Sequence, residues 1–208
     1  GITTKLIPCF LRDFDAKAAM ETLNQACAYK NQITAFGLDS AEVGNPPSKF
    51  NEVFDAARAN GFLTVAHAGE EGPAEYVWEA INLLKVSRID HGNRSLDDEM
   101  LVEYLSKKKI PLTVCPLSNL KLKVVTDLKE HPLRKMLEKG LHITLNSDDP
   151  AYFGGYVNEN YLALAESIGL TKEEVYQLAK FSFEATFLTD EEKEIYIKKV
   201  DEFYKQNL

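Results

Sequence analysis

The sequence predicts an α/β fold, a (β/α)8 TIM-type barrel of which about six βα units and a helical carboxy-terminal tail are present. Three observations carry that prediction. Short apolar runs alternate with longer amphipathic ones, consecutive runs start about 25 to 30 residues apart, and polar residues stand at the same end of five runs. The runs are Lys5–Leu11, Ile33–Leu38, Phe62–Ala66, Ser87–Asp90, Ile110–Cys115 and Leu141–Asn146. They are nearly all apolar rather than alternating, as in parallel strands buried on both faces.

Between them lie helical spacings. Phe50, Val53, Phe54 and Ala57 fall at i, i+3, i+4 and i+7, and Gly61 ends that helix. Pro73 opens a second helix with Val77, Trp78, Ile81 and Leu84 on one face. Leu101, Tyr104 and Leu105 make a third after Ser95, and Leu133, Met136 and Leu137 a fourth that stops at Gly140. Beyond residue 158 the strand-like runs cease. Thr171-x-x-Glu174 and Thr189-x-x-Glu192 are capping-box patterns, so the tail reads as helix.

The 208 residues contain no linker, repeat or low-complexity stretch, and read as a single domain over 1–208. With 45% apolar and 27% charged residues the chain has the composition of a globular protein. A net charge of −8 argues against a phosphate-backbone partner, and Lys107-Lys108-Lys109 suits a helix end instead. No apolar stretch approaches the roughly 18 residues that span a bilayer, and residues 1–12 lack the pattern of a signal peptide. Cys9, Cys27 and Cys115 form no C-x-x-C pair and are odd in number, which fits a reducing cytoplasm. Nothing in these features sets the oligomeric state.

Two architectures accommodate six βα units, an open doubly wound sheet and a barrel. A dinucleotide-binding open sheet places G-x-G-x-x-G after an early strand, and the sequence has none; Gly154-Gly155 comes late. The polar strand ends favour the barrel. They are Asp39-Ser40-Ala41-Glu42, His67-Ala68-Gly69-Glu70, His91-Gly92, Pro116-Leu117-Ser118-Asn119 and Ser147-Asp148-Asp149-Pro150. In a (β/α) barrel such ends converge on one face, where active sites are built, and polar groups are costly to bury without purpose.

Each candidate has a structural reading beside the functional one. His67 is either a hydrogen-bonded core residue or a metal ligand. Glu70, three residues on and past a turning Gly, is suitably spaced to move the proton of a metal-bound water. Asp148-Asp149 is either a helix cap or Asx turn before Pro150, or a pair in which Asp148 binds metal and Asp149 accepts a hydrogen bond from substrate. Two adjacent carboxylates repel, and burying both raises at least one pKa unless a cation or donor compensates. His91, after Asp90, is a strand cap or a pocket residue. His131 and His142 fall elsewhere and read as structural, and Ser118 has no base at triad-like spacing.

Four ordered motifs, His67-Ala68-Gly69-Glu70-Glu71-Gly72-Pro73, Arg88-Ile89-Asp90-His91-Gly92, Thr113-Val114-Cys115-Pro116-Leu117-Ser118-Asn119 and Asn146-Ser147-Asp148-Asp149-Pro150, resemble the adenosine and adenine deaminase family of metal-dependent hydrolases. The resemblance runs over essentially the whole chain. Gly72-Pro73 and the segment Pro150-Ala151-Tyr152-Phe153-Gly154-Gly155-Tyr156 look like the adenine-specific branch. The resemblance implies a Zn2+ ion bound by His67 and Asp148, and Glu70 as the shuttle that protonates the purine at N1 during attack at C6. It implies that His91 orients and stabilises the attacking hydroxide and that Asp149 holds the purine at N7. The implied reaction converts adenine to hypoxanthine and ammonia in purine salvage, with a small-molecule purine as the partner.

One departure stands out. The family's first strand carries a His-x-His pair that supplies two further zinc ligands, and no His precedes His67 here. The resemblance therefore implies that two strands precede the residues given and that two of four protein ligands are visible; these 208 residues alone are then expected to be inactive, and to self-associate through unpaired strand edges or fold only with the missing segment supplied. The alternatives are a deaminase of adenosine or another aminopurine with the same machinery, and a barrel fragment that serves only as a binding module.

Overall fold

The computed structural model of the protein describes residues 2–207 and divides them into two compact units, with the boundary between Tyr104 and Leu105. The first unit carries β1 (Cys9–Leu11), α1 (Ala16–Ala26), β2 (Ala35–Asp39), α2 (Asn51–Ala59), β3 (Leu63–Ala68), α3 (Ala74–Asn82) and β4 (Arg88–His91), and α4 (Glu99–Lys108) begins in it. β1 to β4 are adjacent in chain order and parallel, in the register Cys9↔Gly37, Ala35↔Leu63 and Val65↔Arg88. The second unit carries β5 (Leu112–Val114), α5 (Pro116–Lys121), α6 (Leu133–Glu138), β6 (Ile143–Leu145), α7 (Pro150–Phe153), α8 (Val157–Ile168), α9 (Lys172–Glu184) and α10 (Asp190–Gln206). β5 and β6 are parallel, with Leu112↔Ile143 in register. Parallel strands alternating with helices, in each unit, are the α/β class that the apolar runs predict. Among the described residues no helix is long and apolar enough to cross a membrane.

Local chemistry shortens the predicted strands. The run from Lys5 becomes an isolated bridge, Leu6↔Ile33, and then β1 at Cys9, because Pro8 has no N–H to give to the ladder. Pro111 trims β5 in the same way, to Leu112–Val114. Most of what remains is buried, with Leu11 of β1 and Leu63 of β3 exposed. Ala35, Phe36 and Leu38 of β2 and Ile143 of β6 are fully buried. In the first unit Phe10 stacks on Phe36 at 5.2 Å, Phe54 meets Phe10 edge-on and Phe62 meets Phe36 edge-on, so helix α2 is sealed to the sheet by aromatic contact. Gly37 is the close approach in that layer, since a Cβ there would lie 2.5 Å from Cys9 Sγ. Burial, then Asp39, pushes the Cys9 thiol up to about 12, which removes it as a nucleophile.

Both tail capping boxes form. Thr171 accepts from the Glu174 amide at 3.1 Å while Glu174 accepts from the Thr171 amide at 2.7 Å. Thr189 and Glu192 repeat the exchange at 3.3 and 2.9 Å.

The two remaining histidines are structural in this fold. The His142 ring packs 4.1 Å from Phe181. Buried His131 accepts the Leu133 amide on Nδ1 at 3.2 Å and meets Asn119 Oδ1 through Nε2 at 3.3 Å, an arrangement that suits only the neutral ring. Burial lowers its pKa to about 4. A base whose folded pKa is depressed contributes its stability above the unfolded value of about 6.5 and loses it as pH falls through the folded value. His131→Gln should therefore shrink the loss of unfolding free energy between about pH 7.5 and 4.5 by about 2–3 kcal/mol. Denaturant titrations of parent and variant at both pH values check this, and equal losses would refute it.

Candidate active site

The site residues of the first unit are set by the parallel register of β3 and β4, in which His67 faces Asp90 and Ala68 faces His91. His67 Nδ1 lies 3.1 Å from the Leu38 carbonyl on β2, so it carries the proton and donates it, and the lone pair falls on Nε2. Nε2 stands 3.7 Å from Asp39 Oδ1, and Asp90 Oδ2 lies 3.9 Å from Nδ1. A backbone carbonyl that fixes the tautomer, with carboxylates nearby, is the surrounding that orients a metal-binding imidazole.

Beyond His67 the chain reverses at Gly69, whose φ of +70° is open to glycine and whose added Cβ would lie 2.6 Å from Val77 Cγ2. The reversal brings Glu70 back over the sheet end. Its Oε1 is 3.2 Å from His91 Nδ1, and both side chains are buried. Burial first, and the neighbouring His67 second, hold the His91 pKa well below 6.5. Desolvation thus favours the neutral imidazole, and its Nδ1 stands beside the Glu70 carboxyl. The His67 and His91 rings lie 4.8 Å apart. Three of the sequence-predicted residues are therefore brought together: a ligand-type histidine, a buried acid and a neutral imidazole.

Asp148 and Asp149 follow β6 in the second unit. Asp148, half-buried, has φ +57°. Asp149 occupies the N-cap position of α7 with Pro150 after it, yet its exposed carboxylate makes no capping hydrogen bond. The structural reading of this pair as a helix cap is therefore not what the Asp149 side chain does. Ser118 is fully buried in α5, consistent with its exclusion as a nucleophile.

Sequence reasoning missed two features. Ser40, His91 and Asp148, each at or just beyond the end of a strand, are non-glycine residues with positive φ, a conformation that costs about 1–3 kcal/mol and gathers at functional sites. Nothing in a one-dimensional pattern marks it. Arg12, next after β1, is fully buried against the backbone of this region. A charged residue that directly follows an apolar run was the available signal.

A buried acid against a neutral imidazole at the carboxyl ends of parallel strands is equipment for moving a proton in a β/α enzyme. Residues 1–203 match the family described as adenosine deaminase, and the chain belongs to that family. It is 61% identical to the adenine deaminase of Crocosphaera subtropica, over 95% of this chain and 61% of that one. The crystal structure of adenine deaminase from Arthrobacter aurescens superposes with a TM-score of 0.95 at 47% identity, over 98% of this chain and 62% of that one. A zinc-bound amidohydrolase from Burkholderia ambifaria gives 0.90 at 29% identity, over 97% of this chain and 57% of that one. The chain spans about three fifths of the length of these relatives.

Proposed function

We propose that this chain carries the acid–base centre of an enzyme that hydrolyses adenine to hypoxanthine and ammonia. The 3.2 Å contact between Glu70 and neutral His91 beside His67 is the observation that carries the reading, and the adenine deaminases among its relatives support it. His67, with its lone pair on Nε2, and Asp148 are the proposed zinc ligands; the donor set of imidazole and carboxylate fits that ion. When bound, zinc brings the pKa of a water to near 7.

The protein's own groups do the rest. Glu70, shielded from solvent, takes a proton from the attacking water and delivers it to N1 of the purine. That makes C6 a better electrophile and discharges the negative charge that addition would leave on the ring. His91, kept neutral by burial, offers one nitrogen to Glu70 and leaves the other to orient the nucleophile. Asp149, with no cap bond to make, holds the purine at N7. The acidic chain suits a small purine rather than a nucleic acid, and the reaction belongs to purine salvage, for which a cytoplasmic setting is proposed.

The test is competition between adenine and adenosine on the full-length protein. We expect adenine to be favoured in kcat/KM, because a pocket closed around the free base rejects ribose by steric clash. Comparable values would point to a nucleoside deaminase with the same machinery, and no turnover of either would leave a purine-binding module.

A further inference from the structure

Two buried charges border the proposed site, and the chemistry above uses neither. Glu42, in the loop after β2, is 3% exposed. Its carboxylate accepts four consecutive backbone N–H groups: Oε1 takes Gly69 at 2.6 Å, and Oε2 takes Glu70 at 3.0, Glu71 at 2.8 and Gly72 at 2.9 Å. Arg12 donates Nη1 to the His67 carbonyl at 2.7 Å and Nε to the Asn45 carbonyl at 2.8 Å, and its guanidinium lies over the Tyr76 ring. Burial lowers the Arg12 pKa, and Glu42 is the largest influence opposing that. A buried carboxylate is tolerated only where donors or a cation compensate it, and here the donors are the amides of the segment that carries Glu70. Four amides aimed at one point form an anion nest, which the chain fills with its own side chain.

We propose that Glu42 is a positioning residue: it clamps the 69–72 segment so that the Glu70 carboxyl meets His91, while Arg12 pins the same segment at His67. The inference rests on the reading of Glu70 as the proton shuttle. Glu42 touches no reacting atom in this scheme and acts through Glu70. A general acid must be held to a fraction of an ångström, and a displacement of about 1 Å costs about 10²-fold in rate.

Glu42→Gln tests it in the full-length, metal-loaded enzyme. The amide has one oxygen where the carboxylate has two, so in either orientation an NH2 group confronts a backbone N–H. We expect kcat to fall about 10²-fold with little change in KM for adenine and no loss of zinc, the pattern of an interaction that matters in the transition state. In a Glu70→Gln background the same change should cost almost nothing, because residues that act as a unit are not additive. Amide hydrogen exchange at 69–72 should quicken in Glu42→Gln and stay slow in Glu70→Gln.

Gly72→Ala is the second variant, for use should Glu42→Gln fail to fold. A Cβ at 72 would stand 2.6 Å from Tyr76 Cδ2 and 2.7 Å from Glu42 Oε1, so it displaces the ring and the carboxylate while keeping the charge of Glu42. The expected result is the same loss in kcat alone, of smaller size. Undiminished kcat in a folded variant, or an equal loss in the presence and absence of Glu70, would overturn the proposal. If the parent does not deaminate adenine, the functional reading fails on its own. The exchange measurement then still decides, and unchanged protection at 69–72 in Glu42→Gln would overturn the clamp.

Discussion

Glu70→Gln should lower kcat by about 10²–10⁴-fold, the contribution of a positioned general acid or base, while leaving zinc content and purine binding near those of the parent. The amide matches the carboxyl in size and still reaches His91 Nδ1, 3.2 Å away in the parent, so packing is preserved. What it lacks is a group that can both take and release a proton near neutral pH. The segment itself stays in place because its amides are held by Glu42 rather than by the Glu70 side chain. Steady-state kinetics with adenine and metal analysis of the same preparation make the check. Turnover within about tenfold of the parent would be far below the general acid–base scale and would remove Glu70 from this role.

Asp148→Ala should strip the metal, and Asp149→Ala should not. Loss of a directly coordinating carboxylate exceeds the roughly 10–100-fold weakening that follows loss of a partner behind a ligand. Asp148→Ala protein should therefore be purified with little zinc. Its backbone is already in the left-handed region at φ +57°, a conformation retained where the direction of the side chain matters. Asp149 has ordinary backbone at φ −90° and a carboxylate free of capping duty, so its removal should raise KM or lower kcat with zinc in place. Atomic emission on both variants decides, and equal zinc loss from the two would mean that the roles are divided wrongly. The same two preparations separate metal binding from substrate binding, which activity alone confounds.

Much of the fold was readable because its signals are local. Thr171 with Glu174, and Thr189 with Glu192, meet three residues apart on one helical turn, and both capping boxes formed where the pattern placed them. The apolar runs marked all six strands, since a largely buried strand needs no partner to reveal its composition. Their limits were less legible. Pro8 and Pro111 lie inside the runs as polar-free residues, yet each withholds a ladder hydrogen bond. The residue types of the candidate site were also visible, because His67, Glu70, His91, Asp148 and Asp149 all stand at or just beyond strand ends.

The sequence by itself determined the order of elements, their type and the inventory of chemical groups at the strand ends, because periodicity, capping and proline act within a few residues. Only the tertiary structure decided which of those groups meet. Glu70 reaches His91 across a strand register, Arg12 reaches a carbonyl 55 positions away, and the Glu42 carboxylate finds amides 27 to 30 positions away. It also decided the lowered pKa of His91. Desolvation depends on what neighbouring strands pack around a ring, and that quantity does not exist until the chain has folded.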